Sequence, residues 1–379
     1  MKILFSYGLV GRGGDALQVQ IMASTLAQLG HDVRLVGATR LSPYEFRTSA
    51  AGLRGIARTW PWWARDILGL MLQVRNGVLL RLAARRESPD LVIHRVQAYD
   101  TEGKWLARSY PVIAHLDAPY AVERASHGEG LFRSLHKRTV RSATRWARLV
   151  VVPSAETRDH YARVGIPTEK VLIMPNGILR EHLERGTEAA RLHPPLSGDA
   201  PYTLGFVGCL SHWHRVDRLL EVLERLNRAS PEAFRLRIVG RGEAYDSLLR
   251  LSARLGLDGC VEFLGAVSHE RALEAISTFD VAVLPNTLST GSPMKLLEYA
   301  AMGRPTVAPD LPNLRAIFSD DEIRFFSPEQ DDALTEAILD LAGHPDKARE
   351  LGRNAQDATA KYTWESILED VLEAALTTR

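Results

Sequence analysis

The chain has 379 residues, of which 45% are hydrophobic and 25% charged, a composition that excludes disorder, collagen-like repeats and a disulfide scaffold. Its formal net charge of +1 divides unevenly, with +10 in residues 1–190 and −9 in residues 191–379, as expected for two bodies with different partners. Two cysteines, Cys209 and Cys260, indicate a reducing compartment, and no secretory leader or apolar run of about 20 residues stands out. We therefore expect a cytoplasmic protein.

The first half alternates short apolar runs with amphipathic stretches, a pattern typical of a parallel sheet covered by helices on both faces. Strands are predicted at Lys2–Ser6, Asp32–Val36, Asp90–His94, Val112–Leu116 and Leu149–Pro153. Helices are predicted at Ala16–Leu29, Val122–Arg148 and Ala155–Val164.

The second half repeats this alternation, so the sequence predicts an α/β fold with two Rossmann-like domains facing each other across a cleft. Strands are predicted at Thr203–Val207, Leu236–Val239, Val261–Leu264, Val281–Leu284 and Thr306–Ala308. Helices are predicted at Arg215–Asn227, Tyr245–Leu255, His269–Thr278, Met294–Ala301, Lys347–Lys361 and Thr363–Leu376. Turn-forming residues between Pro175 and Pro201 predict the joint between the domains.

A glycine turn, Gly11–Asp15, follows the first strand and precedes a helix. Glycines and free N–H groups at a helix start can bind a phosphate, although a tight turn capped by Asp15 is an equal alternative. The spacing is not that of a nicotinamide-binding turn, and no acidic residue ends the second strand to hold a ribose. A dehydrogenase is therefore a poor fit.

Two further polar segments follow predicted strands. His115 lies at the end of the fourth predicted strand and Asp117 directly follows that strand. His115 is either an acid/base or hydrogen-bonding group for a substrate or a satisfied buried histidine beside a turn-capping Asp117. His212, His214 and Arg215 stand at a helix start, where they favour an anion; the alternative is a solvated basic helix end. No third ligand is spaced for zinc.

The segment from Ser289 to Gly303 carries the most informative pattern. Lys295 and Glu298 are three residues apart on a predicted helix, so they share one face. A cation suits a diphosphate and a carboxylate suits a vicinal diol, which together fit a nucleotide sugar. The alternative is a surface ion pair worth only tenths of a kcal/mol.

Taken in order, these segments resemble a retaining GT-B glycosyltransferase of family 4, in its SPxKxxEY-type subset. The resemblance covers nearly the whole chain. It rests on GRGGDALQVQ, VLIMPNGI, LGFVGCLSHWHRVDRLLEVL, LRIVGRGEAYDSLLRLSARLGL, VEFLGAV, FDVAVLPN, SPMKLLEYAAMGRPTVAP and YTWESILEDVL.

The resemblance implies an N-terminal acceptor domain at residues 1–178, a linker at 179–200, a donor-binding domain at 201–361 and a final helix at 362–379 that returns to the first domain. The implied catalytic residues are His115, Asp117, Arg215 and Lys295. The implied donor-binding residues are Gly13, Gly14, Gly208, His214, Arg215, Gly240, Arg241, Val267, Gly291, Ser292, Met294, Lys295, Leu297 and Glu298.

The chain departs from the family pattern at four positions. Thr290 stands where the first of two glutamates is usual, and Cys209 and His214 stand where an Arg–Lys pair is usual. Arg215 occupies a position where glycine is common, and we expect it to take over a phosphate contact, with His214 as a further source of positive charge.

The resemblance implies a hexosyltransferase-type enzyme that uses a UDP-, GDP- or TDP-sugar without a metal or other cofactor and retains the anomeric configuration. The acceptor would be a sugar, a lipid-linked saccharide or a small natural product. A catalytically degenerate binding partner, an epimerase and a phosphorylase on the same fold are the alternatives.

Residues 47–86 combine Trp60, Trp62 and Trp63 with eight arginines, which is typical of a helix on an anionic membrane. An ordinary helix pair covering the sheet is the alternative. No basic–aromatic pattern for nucleic acid appears.

Overall fold

The computed structural model describes residues 1–7, 14–37, 61–96, 102–116, 142, 145–163, 165, 167–192 and 201–377. These residues divide into two compact units. Unit 1 comprises Met1–Asn176 and Trp364–Arg379, and unit 2 comprises Gly177–Thr363.

The strands and helices alternate along both units. The strands are β1 Lys2–Tyr7, β2 Asp32–Gly37, β3 Leu91–Arg95, β4 Val112–His115, β5 Leu149–Val152, β6 Val171–Ile173, β7 Tyr202–Val207, β8 Phe234–Val239, β9 Val261–Gly265, β10 Val281–Val283, β11 Thr306–Pro309 and β12 Arg324–Phe326. The helices are α1 Gly14–Gln28, α2 Trp62–Glu87, α3 Glu102–Leu106, α4 Ala155–Arg163, α5 Arg180–Leu192, α6 Val216–Ala229, α7 Tyr245–Arg254, α8 His269–Ile276, α9 Met294–Ala301, α10 Pro312–Arg315, α11 Ala333–Gly343, α12 Pro345–Thr359 and α13 Trp364–Thr377.

Unit 1 is a six-stranded parallel sheet in the order β2-β1-β3-β4-β5-β6. Strands β3, β4 and β5 are buried at every residue, because helices cover both faces of a parallel sheet and leave no polar face. Helix α13 belongs to this unit, where it packs against α1 and β5 and buries Trp364 completely.

Unit 2 is a second six-stranded parallel sheet, in the order β12-β11-β10-β7-β8-β9. The apolar face of α6, which includes Leu219, Leu220 and Leu223, is buried in the core of this sheet. These two sheets confirm the predicted α/β class.

The ten predicted strands are confirmed to within about two residues at each end, whereas β6 and β12 were not predicted. Both missed strands have three residues and lie at an edge of their sheet, whereas β10, which is equally short, is central and buried at every residue. Within residues 179–200, predicted as a linker, the structure forms helix α5, which packs against α9 in unit 2. The predicted helix Val122–Arg148 lies largely outside the described residues.

Candidate active site

The strand order in the sheet of unit 2 reverses between β7 and β10. Strands β8 and β9 follow β7 toward one edge, and β11 and β12 follow β10 toward the other. Ligands of open parallel sheets bind beyond the carboxyl ends of the strands at such a switch point. Two loops meet there, residues 208–215 after β7 and residues 284–293 after β10. The Nδ2 atom of Asn286 donates to the carbonyl of Trp213 at 2.7 Å and joins the two loops.

Glycines end the three adjacent strands β7, β8 and β9. Gly208, Gly240 and Gly265 have φ values of 148°, 129° and 69°, in a region that L side chains rarely adopt. A methyl group on Gly240 would overlap the carbonyl oxygen of Gly208. Gly208 and Gly240 are therefore required by close packing, whereas the backbone of Gly265 has open space beside it that a ligand could approach.

Lys295 lies in the first turn of α9, directly above the end of β7. Its Nζ atom is 2.7 Å from Nε2 of His214 and 5.3 Å from the ring centre of Phe206. A Cβ atom on Gly208 would lie 2.6 Å from Cε of Lys295, so the absence of a side chain at Gly208 makes room for the lysine. Burial lowers the pKa of Lys295 to about 8, although the negative charge of Glu298 opposes this shift.

His214 holds Lys295 as a hydrogen-bond acceptor. Its Nδ1 atom is 2.7 Å from the carbonyl of Cys209, which can only accept, so Nδ1 carries the proton and Nε2 accepts from the ammonium group. Burial, followed by the charge of Lys295, lowers the pKa of His214 to about 3. The expectation that His214 supplies positive charge is therefore wrong, because the ring is neutral and both nitrogens are engaged.

Glu298 lies one turn further along α9 and is 7% exposed. Its Oε1 atom is 2.7 Å from Nε2 of His269, the first residue of α8. Burial lowers the pKa of His269, but the hydrogen bond and charge of Glu298 outweigh burial and leave that pKa raised. A second histidine, His182 on α5, lies edge-on to His269 with ring centres 5.1 Å apart.

Two buried side chains fix the helix and the loop that carry this site. The hydroxyl of Tyr299 accepts from the N–H of Val207 at 2.8 Å, which ties α9 to the end of β7. The amide of Asn313 donates to the carbonyls of Leu288 and Gly291 at 3.1 and 2.7 Å and holds the loop before α9. Lys295 and Glu298 are thus presented from one fixed helix face.

The other predicted residues of unit 2 fall into different surroundings. Arg215 adopts the left-handed conformation, with φ 51° and ψ 41°, which explains why glycine suits this position. Its guanidinium is half-exposed and pairs with Asp217 at 3.2 Å. The Arg241 guanidinium lies 4.4 Å from the ring centre of Tyr245.

The remaining predicted contacts differ in exposure. Val267, after β9, is 40% exposed, and Ser292, before α9, is buried. The side chain of Leu297 is fully buried in the hydrophobic core, so it cannot reach a ligand and only its main chain could. Met294 is the first residue of α9, and Gly291 lies in the loop that Asn313 holds.

The remaining predicted site residues belong to the sequence of unit 1. His115 is the last residue of β4 and is 1% exposed. Gly14 begins α1, whereas Gly13 and Asp117 lie outside the described residues.

Four polar contributors were missed from the sequence. His182, His269, Asn286 and Asn313 were not predicted as site residues, and their partners are between 22 and 87 residues away along the chain. The positions of His269 and Asn286 shortly after a strand offered the available signal. Among the described residues, no three His, Cys, Asp or Glu side chains are grouped so that they could hold a metal ion.

Two family models match most of the chain. Residues 12–181 match the model described as Glycosyltransferase Family 4, and residues 201–344 match the model described as Glycosyl transferases group 1.

Characterised relatives match over nearly the full length. The D-inositol 3-phosphate glycosyltransferase of Nocardia farcinica is 25% identical over 96% of this chain and 84% of its own. The MMP alpha-(1->4)-mannosyltransferase of Mycolicibacterium hassiacum is 23% identical over 94% of this chain and 92% of its own. Among solved structures, Anabaena HepE in complex with UDP covers all of both chains with a TM-score of 0.72 at 18% identity, which shows a shared fold.

Proposed function

Because the chain belongs to the family 4 glycosyltransferases of the GT-B fold and is an enzyme of the hexosyltransferase type, we propose that it transfers a sugar from a nucleotide sugar to an acceptor hydroxyl with retention of the anomeric configuration. The use of a nucleotide sugar fits the relatives above. Retention is supported by the family resemblance, and a proton NMR spectrum of the product, read at the anomeric position, tests it.

The observation that carries this proposal is the polar face of α9. Lys295 is a cation fixed against Gly208 by a neutral acceptor, and Glu298 is a nearly buried carboxylate three residues away on the same helix face. A diphosphate joined to a ribose presents an anion and a vicinal diol, the two groups that a cation and a carboxylate bind. Open space beside the backbone of Gly265, at the end of β9, leaves room for such a ligand.

Catalysis is then electrostatic. Negative charge develops on the diphosphate as the sugar leaves, and a fixed ammonium group in a partly desolvated site stabilises that charge strongly. Lys295 supplies this charge, and Arg215 supplies more if its guanidinium leaves Asp217 for a phosphate. As the bond between the anomeric carbon and the diphosphate breaks, the acceptor hydroxyl attacks that carbon from the same face and its proton passes to the departing diphosphate. A role for His115 and Asp117 on the acceptor side stays a prediction, and His115, which is 1% exposed, would first have to become accessible.

A thermal-shift screen with UDP, GDP and TDP, with and without EDTA, tests donor binding and the proposal that no metal is needed. A ligand that binds only the folded chain raises the melting temperature in proportion to the logarithm of its concentration over Kd. We expect one nucleotide to stabilise the chain equally in both conditions. Loss of the shift in EDTA would contradict the metal-free proposal. Turnover of the matching nucleotide sugar would eliminate a degenerate, non-catalytic role.

We further propose that unit 1 contacts an anionic membrane surface through α2. The helix has 26 residues, and one side of it is exposed and apolar. The exposed apolar residues of α2 are Ile67, Met71, Val74, Val78, Leu79 and Leu82. No helix within the described ranges combines the length and hydropathy needed to span a bilayer.

Charge complementarity favours lipid as the occupant of this face. Arg75, Arg85 and Arg86 are exposed on the described part of α2, and no acidic side chain of α2 that the structure describes is fully exposed. Apolar residues flanked by arginines suit the boundary between headgroups and acyl chains of an anionic leaflet. A lipid-linked acceptor fits such a location.

Co-sedimentation with phosphatidylglycerol-containing vesicles at low salt tests the membrane contact. The wild-type chain is expected in the pellet, whereas Met71→Glu/Val78→Glu is expected to bind at least about tenfold more weakly. Leu339→Glu, which changes an exposed leucine of unit 2, serves as the control. A wild-type chain that stays in the supernatant, or that self-associates through this face, would overturn the proposal.

A further inference from the structure

We infer that His269 is a positioning residue for ribose recognition: it fixes Glu298 so that the remaining acceptor positions of the carboxylate face the ribose diol of the donor nucleotide. This inference rests on the proposed function, since it assigns a role within the same site. It concerns a residue that the sequence motifs did not mark.

The geometry of the pair supports an orienting role. Nε2 of His269 lies 2.7 Å from Oε1 of Glu298, and the side chain of Glu298 is only 9% exposed. A carboxylate offers about four acceptor positions, so one bond to His269 leaves about three for the hydroxyls of a diol. Without His269 the nearly buried carboxylate would lose its charge-assisted partner.

The surrounding helices hold the imidazole in place. Ser268 caps α8 by accepting from the N–H of Arg271, which fixes the backbone at His269. His182 contacts the ring of His269 at 5.1 Å and an interplanar angle of 68°. Its own helix, α5, packs closely on α9, because a methyl group on Gly186 would overlap the carbonyl of Ala301. His269 is thus clamped between α5 and α9.

The charges facing the pair explain why His269 is the donor. His269 faces Glu298 from α9 and Arg185 from α5, and Glu270 follows it on α8. His182 faces the same groups, but burial and the charge of His269 keep it neutral at physiological pH, with its pKa lowered to about 4. His182 therefore contributes packing, and His269 contributes the hydrogen bond.

Two variants separate hydrogen bonding from packing. His269→Gln places an amide N–H near the position of Nε2 and can still donate to Glu298. His269→Asn is polar but its amide lies near the position of Nδ1, so it cannot reach. Glu274→Gln, on an exposed position of the same helix, is the matched control.

Calorimetric titration of the full chain uses two probes, the nucleoside diphosphate that binds the wild type best and inorganic pyrophosphate. We expect His269→Asn to weaken nucleoside diphosphate binding about fivefold to tenfold, while His269→Gln and Glu274→Gln bind like the wild type. Pyrophosphate, which has no ribose, should bind all four proteins equally. A merely structural role would weaken both probes together.

The possible failures are distinguishable. Nucleoside diphosphate affinity that is unchanged or tighter in His269→Asn would overturn the inference, since His269 would then be idle or compete with the ribose. Equal weakening of both probes would also overturn it. A wild-type chain that binds none of UDP, GDP and TDP would overturn the proposed function itself.

Discussion

The two ends of the polar face of α9 use the same residue type in opposite ways. At Lys295, His214 is neutral and accepts a hydrogen bond, and its pKa is lowered to about 3. At Glu298, His269 donates a hydrogen bond, and its pKa is raised. His214 accepts a hydrogen bond from the cation, and His269 donates one to the carboxylate. One helix face therefore holds a cation and a carboxylate that are hydrogen-bonded to separate histidines.

The charge of the hydrogen-bonding partner therefore decides whether a buried imidazole is protonated. Burial lowers the pKa of both rings. The nearby ammonium adds to that effect at His214, whereas the carboxylate reverses it at His269. The predictions below test the two ends separately.

Removing the cation should give the largest effect. Lys295→Ala is expected to lower kcat/KM about 100- to 1,000-fold, because a fixed charge on the leaving diphosphate is lost. Steady-state kinetics with the donor identified by the thermal-shift screen measures this. Lys295→Arg keeps a charge and should lose much less. Equal activity of Lys295→Ala and wild type would show that the cationic end is not part of the site.

Displacing the cation without removing it should give the next largest effect. In Gly208→Ala the new methyl group would lie 2.6 Å from Cε of Lys295 and would force the lysine aside, at a residue whose φ is already 148°. We expect pyrophosphate to bind about tenfold or more weakly, measured by calorimetry. Gly259→Ala, with open space at its Cβ, is the matched control. Identical binding by both variants would contradict the packing of Lys295 on Gly208.

The pH dependence of binding should also report the cationic end. The pKa of Lys295 is about 8, so the side chain is protonated and positively charged below pH 8 and becomes neutral above it. Pyrophosphate affinity is therefore expected to fall by up to about tenfold per pH unit above pH 8. In Lys295→Arg the fall should be absent, because a guanidinium stays charged. A fall that persists in that variant would place the titration elsewhere.

The smallest effect concerns stability in acid. His182 and His214 have folded pKa values of about 4 and about 3, both below the 6.5 of an exposed histidine. Below pH 6.5 the unfolded chain binds protons that the folded chain does not, so the free energy of unfolding falls as pH falls. The slope is at most about 1.4 kcal/mol per pH unit for each histidine.

Denaturant titrations at pH 7, 6 and 5 measure that slope, with His182→Phe as the comparison. The variant should show a shallower decline than the wild type. His269 acts in the opposite direction: its raised pKa contributes stability below pH 6.5 that is lost as the pH rises through its folded value. A decline as steep in His182→Phe would contradict the buried neutral state of His182.

Local patterns were sufficient for most of the fold. Most strands carry either an apolar run or an alternation of apolar and polar residues, and all but the two short edge strands β6 and β12 were predicted. Helix α9 begins and ends as predicted at Met294 and Ala301. Helix α5 was missed because the turn-forming residues around it pointed to a linker. The helix is instead stabilised by its contact with α9.

That two site residues lie side by side was predicted only where one segment carries both. Lys295 and Glu298 are three residues apart, so helical spacing alone placed them together. The partners His214 and His269 are 81 and 29 residues away from them, and only tertiary packing brings them into contact. For the same reason, the charge state of His214 could not be read from the sequence.

The most direct test of the central claim is a calorimetric comparison of Lys295→Ala and Glu298→Gln with pyrophosphate and with the free nucleoside of the preferred donor. The account predicts that Lys295→Ala loses pyrophosphate binding and keeps nucleoside binding, while Glu298→Gln does the reverse. Wild-type affinities for both probes in both variants would contradict it, because α9 would then hold neither the diphosphate nor the ribose.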